Sequence, residues 1–196
     1  MKKVCLLLLL VALAGGCART TATSLVTGNT AGQSLGLGKT VVLTWCGFEP
    51  TDKGGSEKAA RLRGLIATHF AGLPGTEVTD AGPLVAALGG RDWRDASDME
   101  LAAAARASGV DSVALVEVAT LVGRLYLSLP PTWSVETSFA YQARLLDARS
   151  GSLVLSALRG RDVTVAFGLS GREVLYKDFA ADLAELTQPL AQPTDK

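Results

Sequence analysis

Few side chains in this 196-residue chain could act as a catalytic base or nucleophile. The one histidine, His69, recurs with apolar residues at helical spacing, which predicts a residue at the boundary of a core rather than a base or a ligand. Ser170 lies in the segment GLSG, whereas a nucleophile elbow has one more residue before its second glycine and needs a histidine partner. We therefore interpret Ser170 as a helix cap, and we expect that the protein is not an enzyme.

Metal and phosphate sites are disfavoured by the same kind of argument. His69 and Cys46 lie far apart and give no recognised pair of metal ligands. The aspartates between residues 92 and 98 alternate with arginines, which favours a solvated loop over a calcium site. The segment GLGKT at 36–40 lacks the first glycine of a phosphate-binding loop, and a predicted strand follows it where a helix is needed. The sequence predicts no cofactor and no metal.

The amino-terminal residues have the pattern of an export signal. Two lysines, Lys2 and Lys3, precede an apolar run from Val4 to Leu13, and small residues follow. A basic start, about ten apolar residues and a small-residue cleavage site are typical of a secretory signal. The apolar run is too short to cross ~30 Å of hydrocarbon as a helix. We expect residues 1–16 to be a cleaved signal peptide, and a plain secretory signal is one alternative.

The residues Ala14, Gly15, Gly16 and Cys17 resemble the lipobox of bacterial lipoproteins, although that family usually has leucine at the position of Ala14. The resemblance implies cleavage before Cys17, a diacylglyceryl thioether on its sulfur and a further fatty acid such as palmitate on its new amino group. Two or more acyl chains anchor a protein stably. The resemblance also implies a place in the cell envelope facing the periplasm, and Ala18 in place of aspartate implies the outer membrane.

The other cysteines and the charge balance exclude several classes of protein. Cys5 lies inside the signal, so Cys46 has no partner for a disulfide. Because Cys46 stands in the apolar run VVLTWCGF, we expect a buried, inert thiol. The formal net charge is zero and the basic residues are scattered, which argues against nucleic acid as a partner.

The pattern beyond Cys17 divides the chain into three parts. Residues 17–39 are rich in threonine, glycine, serine and alanine without a sustained period, which predicts the lipidated cysteine and a flexible tether. Residues 40–190 have periodic apolar patterns and predict one α/β domain. Residues 191–196 are predicted to be a carboxy-terminal tail.

The domain is predicted to be α/β (α+β), with helices packed on a mixed sheet. A strand buried on both faces opens at Thr40, and Ser97 with Glu100 forms a capping box before an alanine-rich helix. Residues 111–129 and 133–145 predict a long antiparallel hairpin, because the second segment alternates apolar and polar side chains. An amphipathic helix is predicted after Ser170.

Three segments carry a further resemblance: TVVLTWCGFEP, ASGVDSVALVEVATL and YQARLLDARSGSLVLSALRG. In this order they resemble the α/β domain of periplasmic lipoproteins of the curli-secretion (CsgG-like) and TolB amino-terminal type. The resemblance implies a non-catalytic envelope protein that works through protein contacts, often as a ring or another homo-oligomer.

Two aromatic segments are candidates for an interface. Pro130 and Pro131 stiffen the predicted tip of the hairpin, and Trp133 follows as an aromatic anchor or as the first inward residue of its strand. Trp93 stands between arginines in RDWRD, a composition typical of interfaces, and the alternative is that it covers the edge of the core.

These observations predict a lipid-anchored periplasmic accessory in envelope assembly, secretion or regulation. The alternative from another class is an envelope hydrolase or a carbohydrate-binding protein, against which the shortage of histidine argues. A pore former similar to the curli exporter is a third possibility. The hairpin at 113–146 carries Glu136, Gln142 and Arg144, which suit water better than lipid.

Overall fold

The structure is a computed structural model, and it describes residues 18–27, 36–50, 52–128, 132–166 and 172–191. The predicted signal at 1–16, the predicted lipidation site Cys17, both prolines of the predicted hairpin tip, Ser170 and residues 192–196 lie outside these ranges.

One six-stranded mixed sheet forms the centre of the domain, with the strand order β1-β6-β5-β4-β2-β3. Strand β2 pairs in parallel with β3 and β4, whereas the remaining pairs are antiparallel. This arrangement confirms the predicted mixed sheet. The strands are β1 (Ala18–Thr27), β2 (Gly38–Cys46), β3 (Thr76–Thr79), β4 (Ser112–Ser128), β5 (Thr132–Asp147) and β6 (Ser152–Ala166).

Four α-helices pack on the sheet, which confirms the single α/β domain. They are α1 (Gly55–Ala71), α2 (Gly82–Ala87), α3 (Asp98–Ala107) and α4 (Arg172–Ala191), with a 3-10 helix at Trp93–Asp95. The predicted capping box opens α3. The Glu100 amide donates to the Ser97 hydroxyl at 3.3 Å, and the Ser97 amide donates to the Glu100 carboxylate at 2.8 Å.

The predicted long hairpin is formed by β4 and β5. Its pairing runs from Ser112 opposite Asp147 to Ser128 opposite Thr132, with one register shift between Val118 and Thr120. Alternate residues of β4 belong to two apolar clusters, which lie on opposite faces of the sheet.

The larger cluster lies between the sheet and helices α1 and α4. At its centre the Phe179 ring of α4 lies 5.8 Å from the ring of Phe139 and 5.0 Å from that of Tyr141. The smaller cluster joins the other face to α2 and α3. The amphipathic stripe predicted for the last helix is buried along its whole length, at Leu175, Phe179, Leu183, Leu186 and Leu190.

The flexible tether predicted for residues 17–39 differs from the structure, in which residues 18–27 form β1 along the edge of β6. The physical reason lies in the unpaired amides and carbonyls of β6, which need partners, and in the high β-propensity of the threonines and valine in this segment. The sequence lacks an alternating signal because residues 20–27 are exposed on both faces of the sheet. Strand β2 also begins at Gly38, inside the predicted tether.

Candidate functional site

Strand β1 begins at one end of the sheet with Ala18. Ala18 pairs with Val165 of β6, Val165 pairs with Val135 of β5, and Val135 pairs with Leu125 of β4. These four residues form one row across the sheet. Ala18 is the residue that directly follows the predicted lipidation site in the sequence. We call this end of the sheet, where β4 turns into β5, the anchor end.

An exposed apolar surface lies at the anchor end, and we call its three residues, Leu125, Leu127 and Trp133, the apolar tip. Leu127 is directly opposite Trp133 across the hairpin, and these side chains are 77% and 39% exposed. By strand alternation they share the face of the buried Val135 and Phe139. The tip therefore continues the core-facing side of the sheet beyond the residues that are buried.

Trp133 has features of both interpretations, the aromatic anchor and the first inward residue of its strand. Its side chain lies on the inward face of β5, as the alternation predicts, and it is nevertheless partly open to solvent. Its role in an interface stays a prediction, as does that of Pro130 and Pro131, which lie outside the described residues.

The opposite face of the hairpin tip is polar. Arg124 is directly opposite Glu136, and the hydroxyl of Tyr126 donates to the Glu136 carboxylate at 2.7 Å. The anchor end thus has an apolar face and a hydrogen-bonded polar face on the same two strands.

The outer edge of β1 is a second candidate surface. Leu25 is directly opposite Leu158 of β6, and these side chains are 64% and 52% exposed. The segment from Thr20 to Thr27 contains neither proline nor a charged residue, the features with which proteins block edge strands. This edge can accept a further strand from another chain.

The Trp93 loop is attached to the domain. Trp93 packs against the smaller apolar cluster, which agrees with the interpretation that it covers the edge of the core. The Arg94 guanidinium lies 4.8 Å from the centre of the Trp45 ring and also binds Asp92, and this hydrogen bond lowers the pKa of the Asp92 carboxyl. Asp98 is paired with Arg144 at 2.7 Å. An interface role for Trp93 stays a prediction.

The structure around GLGKT agrees with the rejection of a phosphate loop. Strand β2 begins at Gly38, and the Lys39 amide donates to the Asp111 carboxylate at 2.9 Å. Arg149 binds the same carboxylate at 2.6 Å. Gly38 has a φ of 61°, and a Cβ there would lie 2.4 Å from Asp111 Oδ2. The carboxylate therefore occupies the space and uses the amide that an anion would need.

His69 and Cys46 are both at least half-buried within the domain. His69 is half-buried, which lowers its pKa, and its Nε2 lies 2.8 Å from the Thr187 hydroxyl. The Thr187 hydroxyl also lies 3.0 Å from the Leu183 carbonyl oxygen, so the imidazole contacts a residue that is bonded within its own helix. Cys46 is buried, and burial raises its pKa to about 11. Its thiol stays protonated at neutral pH, as the prediction of an inert cysteine requires.

A polar group under α4 was missed by sequence reasoning. The hydroxyl of the buried Tyr141 donates to Asp182 at 2.6 Å, and Arg159 of β6 lies 3.3 Å from Glu185. Burial, followed by this hydrogen bond, raises the pKa of Tyr141. The alternation placed Tyr141 inward, but no local pattern showed that it would meet a carboxylate 41 residues away. The group fixes α4 to β5 and β6.

The described residues hold neither a metal-binding cluster nor a membrane-spanning helix. They contain no group of three or more histidine, cysteine or carboxylate side chains arranged to hold a metal ion. No helix among them combines the length and the apolar character needed to cross a membrane.

The fold and the candidate surfaces define the class of this domain: a mixed α/β sheet with helices on both faces. No family model matches the sequence, and no curated protein matches it either. Among solved structures, the chain is similar to the PelC dodecamer of Paraburkholderia phytofirmans, with a TM-score of 0.46 and 19% identity over 88% of this chain and 99% of that chain.

Two further solved structures resemble this chain. The lipoprotein GNA1162 of Neisseria meningitidis has a TM-score of 0.45 and 19% identity over 77% of this chain and 99% of its own. The LpoB carboxy-terminal domain of Escherichia coli has a TM-score of 0.36 and 15% identity over 73% and 87%. Membership of the curli-secretion and TolB type stays a prediction.

Proposed function

We propose that this protein is a lipid-anchored accessory of the bacterial cell envelope that acts by binding other envelope proteins. The observation that carries the proposal is the start of β1 at Ala18, directly after the lipobox-like cysteine. A lipid on Cys17 would join the folded sheet without a spacer, because Ala18 is already paired with Val165. The lipobox resemblance supports cleavage before Cys17, and Ala18 supports sorting to the periplasmic face of the outer membrane.

The surface we assign to the partner protein is the outer edge of β1. It offers unpaired backbone groups along ten residues, together with the exposed pair Leu25 and Leu158. If two copies paired their β1 strands antiparallel at this edge, their anchor ends would point in opposite directions. The two anchor ends would then lie about 30 Å apart, the length of a ten-residue strand. Two copies held in one membrane cannot meet in that way. The edge therefore favours another envelope protein that adds a strand, and any homo-oligomer would use a different surface.

The anchor is tested by Cys17→Ala, with Cys46→Ala as the matched control. We expect Cys17→Ala to lose incorporation of labelled palmitate and to leave the membrane fraction, because the thiol that receives the lipid is gone. Cys46→Ala should stay labelled, because it keeps the Cys17 thiol and loses only a buried thiol that the lipid does not reach. The measurements are label incorporation and the intact mass of the protein from its host. A wild-type product without fatty acid, or one that begins at Met1, would refute the anchor.

The edge contact is tested with a photo-reactive amino acid at Leu25 and, as the matched control, at the exposed Met99 of α3. In living cells we expect one reproducible adduct with another envelope protein from position 25 and none from position 99. Leu25→Lys should weaken the contact of the identified partner, because a charge on an edge strand opposes strand addition. An adduct of twice the protein's own mass would indicate self-association, and no adduct at all would exclude this surface.

A further inference from the structure

We propose that the apolar tip is a second membrane contact, which enters the boundary between headgroups and acyl chains of the bilayer that holds the lipid of Cys17. This inference rests on the proposed lipid anchor. It adds a contact made by side chains of the folded domain, which fixes the orientation of the domain on the bilayer.

The first argument is position. The row from Ala18 through Val165 and Val135 to Leu125 places Ala18, the residue next to Cys17 in the sequence, at the same end of the sheet as the tip. Strand β1 is three strands away from β4, which is about 15 Å at the usual spacing. Leu127 and Trp133 lie two residues beyond that row, on the side towards which β1 runs from Thr27 to Ala18. A bilayer that takes up the acyl chains therefore lies within reach of the tip.

The second argument is chemistry. Leu125, Leu127 and Trp133 extend past the core on one face and are exposed to solvent. Tryptophan is enriched at membrane–water interfaces, where its ring meets the acyl chains and its N–H meets the polar region. The opposite face carries Tyr126 hydrogen-bonded to Glu136, which suits headgroups and water. A two-faced surface of this kind lies in the interface plane rather than across the membrane.

The third argument is that the tip needs little affinity of its own. A lipid on Cys17 would keep the tip beside the bilayer, so that its insertion becomes an intramolecular step with a high effective concentration. Three exposed apolar side chains are then sufficient to orient the domain. Without the tip, rotation about the bonds of the lipidated residue would leave the β1 edge without a fixed direction.

The contact is measured by quenching of tryptophan emission with brominated acyl chains. The full acylated protein is placed in vesicles of phosphatidylethanolamine and phosphatidylglycerol, with and without bromine. Trp45→Phe with Trp93→Phe leaves Trp133 as the reporter, whereas Trp133→Phe leaves the other two. Trp45 pairs with Glu117 of β4, ten residues from Leu127, so it lies about 30 Å from the tip.

We expect bromine to reduce the Trp133 emission roughly twofold, because interfacial side chains reach about 5–10 Å into the bilayer. The Trp133→Phe protein should be quenched little. Leu125→Ser with Leu127→Ser should keep the lipid and lose the quenching of Trp133, and their exposure leaves the fold intact.

The outcomes separate this inference from the anchor. An acylated, vesicle-bound protein with unquenched Trp133 would overturn the tip contact and leave the anchor standing. A chain without fatty acid would refute the anchor, and the same assay on that chain would still decide whether Trp133 meets the bilayer. Trp133 emission that depends on protein concentration and not on vesicles would mean a protein partner at the tip, which also overturns the inference.

Discussion

The two halves of the β4–β5 hairpin have the same backbone pairing and opposite surroundings. From Ser112 to Val118 nearly every side chain of β4 is buried under helices on one face or the other, whereas from Gly123 to Leu127 every side chain is exposed. The covering helices, and not the length of the strands, therefore define the core. Apolar residues in the covered half are explained by packing, whereas Leu125 and Leu127 in the uncovered half are open to solvent.

The largest expected loss of stability comes from a substitution in the core of the covered half. Phe179→Ala removes a fully buried ring that contacts Phe139 and Tyr141. We expect the free energy of unfolding to fall by about 3–5 kcal/mol, from lost burial and the cavity that remains. Urea unfolding followed by circular dichroism measures it. A loss below ~1 kcal/mol would show that α4 does not form the core at this end.

A smaller loss of stability is expected at the start of α3, which packs on the other face of the covered half. The carboxylate of Glu100 accepts hydrogen bonds from the Ser97 amide and the Arg91 guanidinium. These bonds, the one from Ser97 having the larger effect, lower the pKa of Glu100 from 4.5 to about 2. The folded state therefore favours the ionised form. The resulting stabilisation is complete above pH 4.5 and is lost as the pH falls towards 2.

Glu100→Gln should therefore lower the unfolding midpoint at neutral pH, and the difference from wild type should shrink in acid. Glutamine keeps a capping contact, so the variant isolates the charge. Glu77→Gln, on the short strand β3, removes an exposed carboxylate that caps no helix and serves as the control. Thermal unfolding between pH 2 and pH 7 measures the difference. A difference that is constant with pH would contradict the assignment.

The smallest expected effect lies in the uncovered half. Leu127→Ala should change the free energy of unfolding by no more than about 0.5 kcal/mol, because the side chain is largely exposed. The same urea titration compares it with Phe179→Ala. A loss that approaches that of Phe179→Ala would place Leu127 in a packed core and remove the contrast between the two halves.

Most of the fold could be predicted from local patterns. Ser97 and Glu100 marked the start of α3, the alternation around Tyr141 marked β5, and the stripe on α4 marked its buried face. These signals are short in range, and burial enforces them. The nature of Cys46 also followed from its apolar neighbours alone.

The missed features depend on contacts between distant residues. Residues 20–27 of β1 have no buried face, so their side chains carry no period, and only the backbone pairing with β6 reveals the strand. The bond between Tyr141 and Asp182 joins two elements that no local rule brings together. The anchor end appeared only when the register of four strands placed Ala18 and Leu125 in one row.

The pairing of β1 with β6 from Ala18 onwards has a mechanical consequence. If Cys17 carries the proposed lipid, a pull on it while a bound partner holds the domain away from the bilayer would load β1 from its Ala18 end. It therefore shears the ten residue pairs between β1 and β6 together instead of opening them one after another. A strand that contributes little to the hydrophobic core would in this way serve as the tension-bearing element of the molecule.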